Sequence, residues 1–249
     1  MAQSGEGLVS WQDNMGFSLA NQPLSVIIPT LNEAENLPRT LKIVQTAANV
    51  EAIVVDGGSR DATVEVAAAL GATVLVATGG RAQQMNVGAA AANGRILLFL
   101  HADTELPHDF DELVQQTLFK RHVVAGAFDL KIDGANPWLR VVEGGVKLRS
   151  HWFQMPYGDQ AIFLKASVFH AIGGFPELPI MEDFVMMQTL KRRGKIAIAP
   201  AAVLTSGRRW QKLGVCRTTL INQLISLGYW VCVSPDRLVY WYRHWGKPR

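Results

Sequence analysis

The sequence predicts one α/β domain whose mostly parallel sheet is flanked by helices. Short apolar, β-branched runs at residues 24–29, 51–56, 72–76 and 95–100 alternate with helical patterns, which is typical of a doubly wound sheet. Several of these runs end in polar residues, and the carboxyl ends of parallel strands meet at one edge of a sheet. A chain of 249 residues that is 49% hydrophobic is long enough to bury the core of one such domain.

The first predicted strand ends at Pro29 and the second at Asp56, and a helix follows each of them. Thr30 and Glu33 have the spacing of a capping box, from which a helix should run to about residue 48. Asp56 is placed to accept hydrogen bonds from a base or a ribose, and Gly57 lets the backbone approach a ligand. Helix capping and a simple turn are the structural alternatives for these polar residues.

The third strand leads into Gly79, Gly80 and Arg81, which open an alanine-rich helix that carries Asn86. Backbone amides, the helix dipole and the guanidinium charge at such a helix start suit a diphosphate. The chain lacks a Gly-x-Gly-x-x-Gly pattern after its first strand and a Gly-Lys-Ser/Thr ending. Their absence argues against a dinucleotide enzyme and a P-loop enzyme.

The fourth strand, within residues 95–105, ends in His101, Ala102 and Asp103. A carboxylate at this tip, facing the diphosphate, can hold Mg²⁺ or Mn²⁺ while phosphate oxygens complete the coordination shell. The alternative is a helix cap or a surface turn ahead of the next helix, which is predicted at residues 108–120.

The second half of the chain is predicted to add further strands and helices around a pocket. Strands are expected at residues 123–132, 161–165, 195–199 and 201–206, and helices at residues 136–149 and 182–193. The aromatic, irregular residues 150–160 should wall the pocket. Glu182 and Asp183 begin a helix, where acidic residues also serve simply to complement the helix dipole. The basic residues 207–212 are interpreted as a mobile loop that closes on phosphates, although a solvated surface loop fits nearly as well.

The two ends of the chain differ in character. Residues 1–22 lack the features of a secretory signal and are predicted to be a flexible extension. Residues 213–249 are helical in pattern and rich in Tyr and Trp, which suits a membrane interface or an apolar acceptor, while docking onto the sheet is the commoner fate of such a helix. The longest apolar stretch, residues 220–233, is interrupted and too short to span a bilayer.

Charge and cysteine content exclude several classes of function. The 24 Lys and Arg residues against 21 Asp and Glu residues give a net charge of +3 without long basic runs, so nucleic acid is not an expected partner. Cys216 and Cys232 form neither a zinc pattern nor a disulfide framework. We interpret them as buried, reduced thiols of a cytoplasmic protein, with the inner face of the membrane as the place of any peripheral contact.

These motifs, in this order, resemble those of the inverting glycosyltransferases of family 2, which have the GT-A fold. The resemblance covers residues 24–212. It is carried by Val-Ile-Ile-Pro-Thr-Leu-Asn-Glu at 26–33, Val-Val-Asp-Gly-Gly-Ser-Arg-Asp at 54–61, Gly80-Arg81 with Asn86 and Gly88, His101-Ala-Asp103, and Glu182-Asp183. The likeness extends to small soluble members similar to diaponeurosporenoate-type carotenoid glycosyltransferases. It implies a transferase that uses Mg²⁺ or Mn²⁺ and moves a sugar from a nucleotide-sugar donor, UDP by default, to an acceptor hydroxyl or carboxyl.

The resemblance also assigns roles to individual residues. Asp183 matches the catalytic base and Asp103 the metal ligand, whereas His101 stands where the family has the first acid of its Asp-x-Asp motif. The implied donor-binding residues are Pro29, Thr30, Asn32, Glu33, Asp56, Gly57, Arg81, Asn86, Ala102 and Asp103. The implied residues of the acceptor wall or of a lid over the donor are Gly158, Asp159, Glu182, Arg208, Arg209 and Trp210.

The implied organisation is a GT-A domain at residues 23–212, followed by a helical segment at 213–249 that packs on the domain or faces a membrane. The acceptor would be a small or lipid-like molecule. Two rival functions stay open. A sugar nucleotidyltransferase has a similar glycine-rich loop, but after its first strand rather than its third. A catalytically silent nucleotide-sugar binding protein would not need Asp103 and Asp183.

Overall fold

The computed structural model describes residues 22–246, which form an α/β domain. Its strands are β1 (Leu24–Thr30), β2 (Val50–Asp56), β3 (Thr73–Val76), β4 (Ile96–Phe99), β5 (Thr104–Glu105), β6 (Val123–Ile132), β7 (Ile162–Lys165) and β8 (Lys195–Thr205). Its α-helices are α1 (Leu37–Val44), α2 (Thr63–Ala69), α3 (Arg81–Ala91), α4 (Phe110–Phe119), α5 (Trp138–Phe153), α6 (Ala166–Ile172), α7 (Glu182–Lys191), α8 (Arg208–Leu213), α9 (Val215–Trp230) and α10 (Pro235–Trp245). A 3₁₀ turn occupies Gly158–Gln160.

The strands form one mixed sheet in the order β3-β2-β1-β4-β7-β6-β8-β5. Strands β3, β2, β1 and β4 are parallel, as the alternation of apolar runs and helices predicts. Strand β7 pairs antiparallel with both β4 and β6, while β6 and β8 are parallel. Buried apolar side chains lie on both faces of this sheet, in two clusters covered by helices. The predicted mostly parallel sheet flanked by helices is confirmed.

Strand register brings the predicted polar tips together at one edge. Thr30, at the end of β1, lies directly opposite Asp56, at the end of β2. On the other side of β1, Phe99 at the end of β4 lies opposite Ile27. Helix α3 packs tightly over these strands, because a Cβ atom added at Gly88 would come within 2.5 Å of Ile27 Cγ2. The ends of β1, β2 and β4 therefore form one continuous rim.

Several predicted element boundaries were wrong. Residues 195–199 and 201–206 belong to one strand, β8, and the pairing register shifts around Pro200, which has no N–H to donate to the ladder. Helix α1 begins at Leu37 after Asn36, so Thr30 and Glu33 do not form a capping box. Helix α5 extends to Phe153, into the stretch predicted to be irregular. The basic segment predicted as a loop is mostly helix α8.

The C-terminal helices pack against the domain through part of their surface. Trp241, Tyr242 and Trp245 of α10 are half-buried against the core, whereas Trp230 and Tyr240 are exposed. The predicted burial of Cys216 and Cys232 was wrong, since both are exposed free thiols. Across residues 22–246, every helix is too short or too polar to cross a bilayer. The predicted N-terminal extension lies, except for residue 22, outside the described residues.

Candidate functional site

The nucleoside end of the predicted donor site is the turn after β2. Asp56 is 3% exposed, and its Oδ2 accepts hydrogen bonds from the backbone N–H groups of Gly58 (2.8 Å) and Ser59 (2.9 Å). The Ser59 hydroxyl donates to Asp56 Oδ1 at 2.5 Å. Gly58 has a φ of 95°, a conformation that favours glycine. The carboxylate is thus held in one orientation by the turn it begins.

A second layer of hydrogen bonds holds the ends of β1 and β2 together. The Gly57 N–H donates to the Thr30 carbonyl at 2.8 Å. The buried Gln84 amide donates to the carbonyls of both Thr30 and Val55 at 2.8 Å. Asn32 adopts φ 55° and accepts a hydrogen bond from the Arg60 N–H through its Oδ1. These contacts keep the rim rigid beside Pro29, which lines a small pocket with His101 and Asp183.

Arg208 links the β1 rim to the β4 tip. Its Nη2 donates to both carboxylate oxygens of Glu33, at 2.9 and 3.0 Å, and to Asp103 Oδ2 at 3.0 Å. Burial opposes the charge of Arg208, but the hydrogen bonds to Glu33 and Asp103 outweigh it and raise its pKa. The two carboxylates therefore share one cation, although they are separated by 70 positions in sequence.

Arg81, at the start of α3, lies in a second charged cluster. Its Nε donates to Glu182 Oε1 at 2.5 Å, and Glu182 is only 2% exposed. Burial would lower the pKa of Arg81, but the charges of Glu182 and Asp183 outweigh it and raise that pKa. The Nε2 atom of the His101 ring lies 3.4 Å from Arg81 Nη1. Burial and the Arg81 charge lower the pKa of His101 to about 4, so the ring is neutral at pH 7.

Asp183 is held at the N-terminus of α7. Its Oδ2 accepts a hydrogen bond from the Gly158 N–H at 2.7 Å, and its Oδ1 accepts one from the Phe184 N–H at 2.7 Å. The 3₁₀ turn that supplies Gly158 is itself held by Gln160, whose amide donates to the Phe128 carbonyl. Asp183 is thus oriented from both sides, and each carboxylate oxygen keeps a lone pair free.

A cavity of about 780 Å³ joins these clusters. Arg81, His101, Asp103, Asp183 and Arg208 all line it. Its remaining walls come from α5, from the segment before α7, and from α8, α9 and α10. Such a volume accommodates a small organic molecule or the reacting end of a larger one.

Three polar atoms in the cavity wall, as described within residues 22–246, lack a hydrogen-bond partner. They are Asp159 Oδ1, Trp210 Nε1 and Thr219 Oγ1, and all three are buried. Burial raises the pKa of Asp159, and the nearby Asp183 charge adds to this effect, while Arg149 and Arg81 oppose it. A buried acceptor and a buried donor without partners are costly unless a ligand satisfies them.

Three other predicted site residues are engaged by neighbouring groups, Asn86 and Ala102 away from this cavity and Arg209 in its wall. The Asn86 side chain donates to the Phe175 carbonyl and accepts from the Phe175 N–H, which ties α3 to the turn after α6. The Ala102 carbonyl accepts a hydrogen bond from the Thr40 hydroxyl. The Arg209 guanidinium stacks over the Tyr242 ring at 4.1 Å. Donor or lid roles for these three residues stay predictions.

Gln84 and Arg149 belong to this region without having been predicted from the sequence, whereas Tyr157 lies in the stretch 150–160 that was predicted to wall the pocket. Arg149 lies over the Tyr157 ring at 3.5 Å and donates to the Met155 carbonyl and to Gln160 Oε1. The proximity of Arg149 to Tyr157 depends on the extended α5, which the sequence pattern did not reveal. Gln84 is a polar residue on the buried side of α3, and that position in the helical pattern is the signal that could have identified it.

The carboxylates of Asp103 and Glu33 are the hard oxygen donors that divalent cations prefer, and Arg208 already places a cation between them. Within residues 22–246, no cluster of three or more His, Cys, Asp or Glu side chains is arranged to hold a metal. Asp103 and Glu33 can therefore hold a metal ion only if the phosphates of a bound donor supply most of its coordination shell.

Comparison with known proteins agrees with this architecture. Residues 25–176 match the model of the family described as "Glycosyl transferase family 2". The chain is 37% identical over 105 residues to a 4,4'-diaponeurosporenoate glycosyltransferase of Staphylococcus haemolyticus, covering 38% of this chain and 28% of that protein. It is 37% identical over 179 residues to a PGL/p-HBAD biosynthesis glycosyltransferase of Mycobacterium bovis, covering 63% of this chain and 64% of that protein.

Among solved structures, glucosyl-3-phosphoglycerate synthase from Mycobacterium tuberculosis, in complex with Mn²⁺, UDP and glucosyl-3-phosphoglycerate, superposes with a TM-score of 0.59. It is 20% identical in sequence, and the match covers 84% of each chain, which shows a common fold. The mixed eight-stranded sheet flanked by helices and this likeness together show that the chain has the GT-A fold. The family model matches more than half of the chain, and the chain therefore belongs to glycosyltransferase family 2.

Proposed function

We propose that the chain transfers a sugar from a nucleotide-sugar donor, UDP by default, to a hydroxyl or carboxyl group of an acceptor, with inversion at the anomeric carbon. One observation carries the proposal: the oriented Asp183 carboxylate lines the same cavity as the cationic Arg81 and Arg208 and the carboxylate of Asp103. When an acceptor oxygen displaces a diphosphate directly, the base and the groups that stabilise the leaving charge must line the same cavity.

The donor would lie across the rim of β1, β2 and β4. The nucleoside would contact Asp56, Gly57, Pro29 and Thr30, where backbone atoms and a fixed carboxylate offer hydrogen-bond partners. The diphosphate would then reach the start of α3, near Arg81, and the β4 tip. The synthase that shares this fold was solved with UDP, which agrees with UDP as the default donor nucleotide.

Asp103, with Glu33 beside it, would hold Mg²⁺ or Mn²⁺. When bound, the ion would neutralise negative charge on the diphosphate oxygens. Arg208, whose Nη2 contacts both carboxylates, would release them to the ion and add its charge to the same leaving group once the donor is bound. The structure with Mn²⁺ among this protein's neighbours supports the use of a divalent ion.

The transfer step would involve Asp183 directly. As the acceptor oxygen attacks the anomeric carbon, its proton passes to an oxygen of Asp183, and the bond from that carbon to the diphosphate oxygen breaks. The bonding electrons leave with the diphosphate, whose growing charge Arg81 stabilises. Asp159 and Trp210 would contact the acceptor through their unpaired polar atoms.

The test measures release of UDP from UDP-sugars by the wild-type chain and by Asp183→Asn, with Mn²⁺ present and with candidate acceptors. We expect turnover that the substitution lowers by about 10²–10⁴-fold while donor affinity is kept. Glu177→Gln, which alters an exposed acid near α7, is the matched control and should leave turnover unchanged. An Asp183→Asn variant with wild-type turnover would contradict the assignment.

The same preparations distinguish the rival functions. Release of pyrophosphate from a nucleoside triphosphate and a sugar phosphate would favour a nucleotidyltransferase. Tight donor binding without transfer or hydrolysis in any acceptor mixture would favour a silent binding protein.

A further inference from the structure

Helix α5 exposes an apolar stripe that the domain does not cover. Trp138, Val141, Leu148 and Trp152 are spaced by three, seven and four residues, so they follow one side of the helix. All four are exposed, Trp152 to 79% of its surface. Phe153 extends the stripe at the C-terminal end of the helix and is also exposed.

Helix α9 exposes a second apolar stripe. Leu220, Leu224, Leu227 and Trp230 recur at spacings of four, three and three residues, and all are exposed. Val231, directly after the helix, adds to the same side. Most of the exposed large apolar side chains of residues 22–246 lie on these two helices. An exposed apolar surface of this kind marks an interaction site.

The two stripes flank the candidate active-site cavity. Helices α5 and α9 are in contact with each other. Val142, Val146 and Arg149 of α5 line the cavity, as do Asn222 and Ser226 of α9. By helical periodicity, the stripe on each helix lies beside the side that faces the cavity. The apolar surface is therefore continuous with the walls of the site.

Charge distinguishes between the partners that such a surface could bind. Within residues 213–246, Arg217, Arg237 and Arg243 stand against a single acid, Asp236. Helix α9 contains no acidic residue, and α5 contains Arg140, Lys147 and Arg149, of which Arg140 pairs with Glu143 and Lys147 with Asp129. The basic residues of this region therefore still outnumber the acidic ones. A second copy of this chain would bring a surface of the same net positive charge to the interface, which disfavours it as the partner. An anionic lipid surface would be attracted.

We propose that α5 and α9 dock the protein onto an anionic phospholipid bilayer, with the apolar stripes in the headgroup region. Tryptophan at the ends of both helices and basic residues nearby are the features of helices that lie in a membrane interface. Each helix has 16 residues and is about 24 Å long, which provides an elongated contact at the membrane surface.

Docking in this way would turn one side of the cavity toward the bilayer. The acceptor would then be a lipid-borne molecule whose hydroxyl or carboxyl group enters between α5 and α9, a step that rests on the proposed function. The aromatic residues of α10 that sequence alone had suggested for membrane contact take little part. Trp241, Tyr242 and Trp245 pack against the domain instead.

The test is co-sedimentation of the full chain with vesicles made of equal parts phosphatidylcholine and phosphatidylglycerol. We expect binding that high salt weakens and that pure phosphatidylcholine vesicles do not reproduce. Trp152→Glu combined with Leu227→Glu should lower the partition coefficient about tenfold or more, because two inserted side chains are replaced by anions. Phe119→Glu is the matched control, since Phe119 is 70% exposed and belongs to α4 rather than to either apolar stripe.

Wild-type-like vesicle binding by the double variant would overturn the proposal, as would equal binding to uncharged vesicles. Sedimentation velocity tests the alternative occupant: a dimer that the double variant dissociates, without vesicle binding, would assign the surface to a second copy. Titration of UDP and Mn²⁺ into the same samples separates the two proposals. UDP binding without vesicle binding would contradict the docking proposal alone. Vesicle binding without UDP binding would contradict the proposed function.

Discussion

Arg81 is expected to have two separable roles, one in stability and one in donor binding. Its Nε pairs with Glu182, which is 2% exposed, so Arg81→Met leaves a buried carboxylate without its partner. Loss of one member of a buried ion pair typically costs 3–5 kcal/mol. Because the Arg81 side chain is 41% exposed, we expect the lower end of that range, about 3 kcal/mol.

A destabilisation of this size should be large in a thermal melt. In a domain of this length, each kcal/mol corresponds to about 2–4 °C, so Tm should fall by about 6–12 °C. Combining Arg81→Met with Glu182→Gln removes the stranded charge and should recover most of the lost Tm. Arg39→Met, which breaks an exposed ion pair with Glu105, is the control and should cost less than about 1 kcal/mol.

The combination also isolates the function of Arg81. If Arg81 contacts the diphosphate, the stable double variant should still bind UDP about tenfold or more weakly, as expected for loss of a charge-assisted hydrogen bond. Calorimetric titration at equal temperature and ionic strength measures this affinity. A double variant that regains both Tm and UDP affinity would show that Arg81 only balances the charge of Glu182, and would refute the donor-site role.

Three further predictions concern single side chains. Asp183→Asn should lower turnover by about 10²–10⁴-fold without weakening UDP binding, as rate and titration measurements on one preparation will show. His101 has a folded-state pKa of about 4, below its ordinary 6.5, because burial and the charge of Arg81 disfavour its protonated form. As the pH is lowered, the unfolded chain therefore takes up this proton first, and the stability of the wild-type chain should fall from pH 6.5 to pH 4. His101→Gln should lessen this fall in melts recorded across that range. Burial raises the pKa of Asp159, so its ionisation opposes folding once pH exceeds the unfolded value of 3.8; Asp159→Asn should raise Tm at pH 7, with a gain that shrinks toward pH 4.

The sequence predicted the features that local pattern determines. Parallel strands have their carboxyl ends at one edge, so the polar residues after each apolar run had to converge there. Thr30 and Asp56 are neighbours for that reason, and Asp103 follows the adjacent strand. Asp183 was predictable as the start of a helix, although its hydrogen bond to Gly158 was not.

Contacts between residues far apart in sequence could not be predicted from one chain. Arg208 reaches Glu33 across 175 positions and Asp103 across 105, and only the tertiary fold brings them together. Asn86 shows the converse, because its position beside the glycine-rich turn suggested a ligand contact, whereas its amide is engaged by Phe175. The surface of α5 was missed because a helix that lines a cavity and also exposes apolar residues lacks a simple amphipathic pattern.

The most direct test of the donor site is calorimetric titration of UDP into the wild-type chain with and without Mn²⁺. We predict saturable binding with one site per chain, strengthened by Mn²⁺, and loss of the Mn²⁺-dependent part in Asp103→Asn. Asp183→Asn should keep both components. Absence of UDP binding in the presence of Mn²⁺, or equal Mn²⁺ dependence in wild type and Asp103→Asn, would contradict the donor site described for β1, β2 and β4.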